Sequence, residues 1–299
     1  MAERQSQIVL GIDPDPSALW PGIATGSYAD ASPREAAASA MLAHCRALID
    51  AAAPACVAVK LQLARFELLG GAGWNVLAAV AEHARNAGLL VIADGKRGDI
   101  DITASTYAAS MFGGTDSAFG RIEGLGADLV TVNPLMGVDA TEPFVAAARE
   151  RGAGVLLLVR TSNPGAADVE DLRLERGGTV WERLAELVED LGRPGVGASG
   201  LSDVGAVVGA TEPGHLARAR ELMPSATFLL PGVGAQGGRV EALSPAFAPA
   251  RAGGLVTASR SVAAAYLAVG GDPASAARTE ADRLREAAWT VSSGSESPA

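Results

Sequence analysis

Residues 89–103 read LLVIADGKRGDIDIT. The first five are apolar, with β-branched Val91 and Ile92 among them, which is the pattern of a short strand buried on both faces; the run stops at Asp94. Just past that stop come Asp94, Lys96 and Asp99, with Arg97 between them. Carboxylates and an ammonium therefore stand where a buried strand opens into a loop. In parallel α/β folds that edge is where active sites are built, because the carboxyl ends of the strands converge there.

Lysine usage points to the same place. The chain holds 24 Lys plus Arg, yet lysine stands only at Lys60 and Lys96. Arginine has taken the other cation positions, including the surface ones where either residue would serve. Both lysines close an apolar run, CVAVK and VIADGK. Arginine does not release its proton at useful pH, whereas a lysine in a partly dehydrated site can act as acid or base. Both lysines therefore read as functional; the plainer reading is a pair of structural ion pairs.

Working outward, apolar runs and helical patterns alternate along the whole chain. Strands are expected at 8–13, 56–61, 89–93, 128–133, 154–160, 204–210, 226–230 and 254–258. Helices are expected at 33–52, where Ser32, Pro33 and Glu35 form an N-terminal capping pattern, and at 74–86, 103–112, 141–151, 179–191, 213–222 and 262–269. Eight short strands alternating with helices is the count of a (β/α)₈ TIM barrel, a single α/β domain of typically ~250 residues. That domain is expected over 1–288, with an extra helix at 273–287. The Gly-rich insert 113–126 reads as an excursion from the barrel, and the polar residues 289–299 as a disordered tail.

Composition narrows the function. Hydrophobic content of 48% suffices for one core, and with only 4% aromatics Ala, Val and Leu must fill it. A net charge of −10 and a pI near 4.9 argue against non-specific binding to nucleic acid or an acidic membrane. An anionic ligand would have to be held by local donors. The amino terminus carries no apolar segment of signal-peptide length, so a cytoplasmic protein is expected. Cys45 and Cys56 sit in apolar patterns and read as small buried hydrophobes. The three histidines are scattered, so no metal site is expected.

In a barrel the residues that follow each strand converge on one mouth. Here they are Asp13, Lys60, the Asp94/Lys96/Asp99 group, Asn133, Ser162 with Asn163, Thr211, Gln236 and Arg260. The segments PGVGAQGG and ASRS follow the last two strands, where barrels commonly bind phosphate. Glycines there let backbone N–H groups approach an anion, the Gln236 amide can donate, and Arg260 can hold two oxygens at once. The charged group is more ambiguous. It fits a structural ion pair, a divalent-metal site, or fixed negative charge facing a substrate carboxylate beside a proton-delivering lysine; spacing alone does not choose between the last two.

VKLQLARFE, ADGKRGDI, RTSNPG, VVGAT and PGVGAQGG with ASRS, taken together over nearly the whole chain, resemble the orotidine 5′-phosphate decarboxylase family. TVNPLMG and RTSNPG resemble its bacterial, longer-chain branch. The resemblance implies a decarboxylase that turns orotidine 5′-monophosphate into UMP and CO₂ in de novo pyrimidine biosynthesis, with no metal and no organic cofactor. It implies a catalytic tetrad of Lys60, Asp94, Lys96 and Asp99, in which Lys96 protonates a C6 carbanion. Asp13 and Lys60 would hold ribose hydroxyls, Ser162 the pyrimidine ring, and Gln236 and Arg260 the phosphate. A homodimer is implied, with Asp99 and Thr103 reaching across to the neighbouring site. Asp101 departs from the pattern, which has Gly or Pro there. Two other readings stay open: a metal-dependent phosphosugar synthase or decarboxylase on the same DxKxxD barrel, and a nucleotide-binding barrel without catalysis.

Overall fold

The eight apolar runs form eight parallel strands, and they close on themselves. The computed structural model describes residues 1–23, 31–234 and 237–295. The strands are β1 (Ile8–Ile12), β2 (Ala58–Gln62), β3 (Leu90–Arg97), β4 (Thr115–Ser117), β5 (Gly120–Ile122), β6 (Leu129–Val132), β7 (Gly154–Arg160), β8 (Val204–Val208), β9 (Phe228–Leu230) and β10 (Gly254–Ala258). All but β4 and β5 belong to a closed barrel in the order β1-β10-β9-β8-β7-β6-β3-β2, every pairing parallel. The fold is a (β/α)₈ barrel.

The helices are α1 (Pro33–Ala52), α2 (Leu63–Glu67), α3 (Gly70–Asn86), α4 (Asp101–Met111), α5 (Val138–Glu150), α6 (Val180–Gly192), α7 (Pro213–Leu222), α8 (Arg260–Ala263), α9 (Tyr266–Val269) and α10 (Pro273–Val291). The capping chemistry works as read: Ser32 and Glu35 close a reciprocal box at the start of α1, and Thr179 and Glu182 another at α6. None of the described helices is long and apolar enough to cross a membrane.

Strand alternation sorts the core into two layers. Val9, Val57, Ala58, Ile92, Leu156, Val207, Leu229 and Leu255 fill the barrel interior, while the other parity of each strand packs under the helices. Small aliphatic side chains do this filling, as the aromatic-poor composition requires. Above them the interior turns polar, and that level is the floor of the site.

Several boundaries differ from expectation. β3 runs on to Arg97, because the backbone keeps pairing with β6 through a register shift between Ala93 and Arg97. The helix expected from 103 starts at Asp101, whose φ of +48° puts it in the left-handed region. Glycine is at ease there and Asp tolerates it better than most residues. The 262–269 helix is split into α8 and α9. The insert is an antiparallel hairpin, β4 with β5, carrying Phe119 at its tip with 99% of its surface exposed.

The polar tail does not begin at 289. α10 continues to Val291 and a 3₁₀ turn follows at Ser292–Ser295. Contacts with the barrel hold this end down: the Gln7 amide donates to the buried Ser292 Oγ at 2.7 Å, and the Arg251 guanidinium lies 4.0 Å from the Trp289 ring centre and donates to the Trp289 carbonyl at 3.1 Å.

Candidate active site

At the carboxyl end of the barrel lies a cavity of about 410 Å³. Asp13, Lys60, Asp94, Lys96, Ser162 and Arg260 all line it, so most of the polar strand-end residues converge as expected. Asn133 and Thr211 do not. Asn133 instead caps a short turn, its Oδ1 accepting from the Leu135 N–H at 3.0 Å, and Thr211 lines a smaller neighbouring cavity with Arg160 and His215. Gln236 lies outside the described residues.

Asp94 is the hub. Its Oδ2 accepts from Lys60 Nζ at 2.6 Å, and its Oδ1 accepts from Lys96 Nζ at 2.6 Å and from Thr131 Oγ1 at 2.9 Å. Lys60 Nζ donates further to Gln62 Oε1 at 3.2 Å and stands 3.7 Å from Asp13 Oδ1. Burial alone would raise the Asp94 carboxyl, but the ammoniums of Lys60 and Lys96 outweigh it and hold the pKa down at about 2. Asp94 is therefore a permanent negative charge at neutral pH.

The lysines differ in exposure. Lys60 is buried, whereas the Lys96 side chain is 42% exposed and reaches the open part of the cavity. Lys96 also has a φ of +48°, within the stretch where β3 and β6 shift register. A bulge there re-aims the strand, and left-handed backbone on a non-glycine residue is strain of the kind that gathers at functional sites. The Lys96 N–H donates to Thr131 Oγ1 at 3.0 Å, so one threonine ties both the backbone of Lys96 and the carboxylate of Asp94.

Asp99 and Thr103 do not line this cavity. Asp99 is half-buried in the loop before α4, its Oδ1 accepting from the Ile100 N–H at 2.8 Å, and Thr103 is exposed on α4. Elsewhere on α4, Ile102 joins Trp74, Ala78, Ile122 and Pro143 in lining a groove of about 900 Å³ between α3, α4, α5 and the hairpin.

Close backbone approach shapes the mouth. A Cβ on Gly11 would fall 1.6 Å from Ser259 Oγ, and one on Gly209 would fall 3.0 Å from the Ser162 Cβ. Glycine at these positions lets the β10 and β7 loops close in on the cavity. Gly232, Val233, Ser259 and Arg260 form the end of the cavity where the Gly-rich and ASRS segments meet.

Sequence reasoning missed Thr131, Gln62, Thr257 and Ser259. Gln62 and Thr257 share the inward parity of their strands with Lys60 and Leu255, and Thr131 is inward on β6. A polar residue interrupting an apolar strand was the available signal. Among the described residues no group of three His, Cys, Asp or Glu side chains could hold a metal ion.

A family model described as "Orotidine 5′-phosphate decarboxylase / HUMPS family" matches residues 6–279. The chain is 46% identical over 216 residues to the orotidine 5′-phosphate decarboxylase of Deinococcus radiodurans, covering 72% of this chain and 74% of that one. With the Roseiflexus castenholzii orotidine 5′-phosphate decarboxylase it shares 38% identity over 288 residues, 95% of this chain and 92% of the other. Among solved structures, Leishmania donovani OMP decarboxylase superposes with a TM-score of 0.70 at 30% identity, covering 96% of each chain.

Proposed function

This chain belongs to the orotidine 5′-phosphate decarboxylase / HUMPS family, and from that membership we propose that it decarboxylates orotidine 5′-monophosphate to UMP and CO₂ in pyrimidine biosynthesis. The observation that carries the reading is the Lys60–Asp94–Lys96 array, which commits both lysines of the chain to one buried carboxylate at the barrel mouth.

The array can perform the reaction without an electron sink. Asp94 is ionised and crowds the substrate carboxylate, an unfavourable contact that disappears as CO₂ leaves. The C6–carboxyl bond breaks, its electron pair stays on C6, and the Lys96 ammonium stabilises that charge and then gives C6 its proton. Lys60, held between Asp94 and Asp13, orders the sugar end of the site. Arg260 grips the phosphate with Gln236, and Ser162 reads the ring. Phosphate binding far from C6 then helps to organise the site. No metal or organic cofactor takes part.

The active unit is a homodimer in the cytoplasm. Asp99 and Thr103 lie outside their own cavity, in the loop before α4 and on its first turn, and α4 presents the exposed Ile102 to the groove that it forms with Trp74 of α3 and the hairpin. A second copy seated there buries that apolar surface and brings Asp99 and Thr103 to its neighbour's site, completing the tetrad.

The test is decarboxylation of orotidine 5′-monophosphate by the purified protein with EDTA present, for the native chain and Lys96→Ala. Metal-independent turnover that collapses in the variant is expected. Turnover abolished by EDTA would overturn the reading in favour of a metal-dependent phosphosugar enzyme, and nucleotide binding without turnover in favour of a silent barrel.

A further inference from the structure

On β10, the side chains of Val256 and Ala258 pack outward under the helices, while Leu255 points into the barrel. Thr257 alternates with Val256 and Ala258 and so shares the inward parity of Leu255. It lines the cavity beside Leu229 and Ser259, and its nearest strand partner on the β1 side is Val9. Aliphatic side chains dominate this inner layer, Val9, Ile92, Leu156, Val207, Leu229 and Leu255 among them.

Thr257 is 5% exposed, and its Oγ1 has no hydrogen-bond partner among the described residues. A buried hydroxyl left unpaired is costly, and valine would fill the same volume without that cost. The neighbouring strand ends in Asp13, whose Oδ1 is buried and also lacks a hydrogen bond among the described residues. Two oxygens without a hydrogen bond thus come from adjacent strands of one cavity, and the Asp13 one is paired only with the Lys60 ammonium, at 3.7 Å.

We propose that the Thr257 hydroxyl is a substrate-positioning group that hydrogen-bonds a polar oxygen of the bound nucleotide. The inference rests on the decarboxylase reading and adds a residue to its site. The hydroxyl is unsatisfied in the free protein and gains its partner on binding, so its contribution goes to ligand affinity rather than to folding.

Thr257→Val and Thr257→Ser separate these roles, with UMP and ribose 5-phosphate as probes. Loss of one neutral hydrogen bond weakens binding by roughly 3- to 10-fold. Thr257→Val is expected to raise the UMP Kd and lower kcat/KM by that factor, with the ligand-free melting temperature unchanged or higher, and Thr257→Ser to restore the Kd. A matching loss with ribose 5-phosphate places the bond on the sugar; a loss confined to UMP places it on the base. UMP affinity of the valine variant within twofold of native overturns the proposal, as does a fall in ligand-free melting temperature with affinity intact, which marks a structural threonine. If the native chain binds no UMP, the decarboxylase reading itself fails and takes this inference with it.

Discussion

Asp94→Asn keeps the shape of the hub and removes its charge. The native carboxylate is 6% exposed and accepts from both lysines at 2.6 Å and from Thr131 at 2.9 Å. Its pKa falls from 3.8 to about 2, because the ammoniums of Lys60 and Lys96 outweigh the raising effect of burial. At 1.36 kcal/mol per pH unit that difference contributes about 2.4 kcal/mol to folding. The folded-state pKa is depressed, so the contribution is complete above pH 4 to 5 and disappears as pH falls through about 2. By pH 3, about 1 kcal/mol of it is gone. Removing one partner of a buried ion pair typically costs about 3–5 kcal/mol. Lys60 retains Gln62 at 3.2 Å and Asp13 at 3.7 Å, which favours the low end. Urea unfolding at one fixed protein concentration should therefore show the variant about 3 kcal/mol less stable at pH 7, and this gap should narrow by about 1 kcal/mol at pH 3. A gap that does not change with pH, or an asparagine variant as stable as native, would refute the account of Asp94 as a charge held down by two lysines.

Thr131→Val removes a donor to Asp94 and the acceptor of the Lys96 N–H; it should cost about 1–2 kcal/mol in unfolding and lower kcat more than it raises KM, as steady-state kinetics would show. Lys96→Ala and Asp99→Ala should each be inactive alone, yet mixing them under subunit exchange should recover about a quarter of native activity, since half the dimers are hybrids and each hybrid has one intact site. No recovery would argue that Asp99 acts within its own chain or not at all. Ile102→Asp, on the exposed face of α4, should shift the protein toward monomer in sedimentation and lower activity in parallel; an unchanged dimer would place the interface elsewhere.

The barrel was legible because its strands are buried on both faces and so read as unbroken apolar runs, each followed by a polar residue. That same double burial hid part of the site. In a strand with one wet face, polarity marks the outside; in LVTV and GLVTA both faces are dry, and nothing local says whether Thr131 or Thr257 points under the helices or into the barrel. Lys60 and Asp94 could be recognised because a charge at the end of an apolar run fits poorly anywhere but a site. A threonine is small enough to pass as a strand former. The left-handed turn at Lys96 was hidden for another reason, since it comes from pairing between β3 and β6, which no stretch of sequence displays alone. Asp99 and Thr103 mark the last limit. The spacing of Asp99 from Lys96 suggested one cluster, yet neither Asp99 nor Thr103 lines the cavity: they stand in the loop before α4 and on the first turn of that helix. If those residues act in this reaction, the unit that the sequence encodes is a pair of chains, and the apolar surface on α4 that would be a liability in a monomer is what holds the pair together.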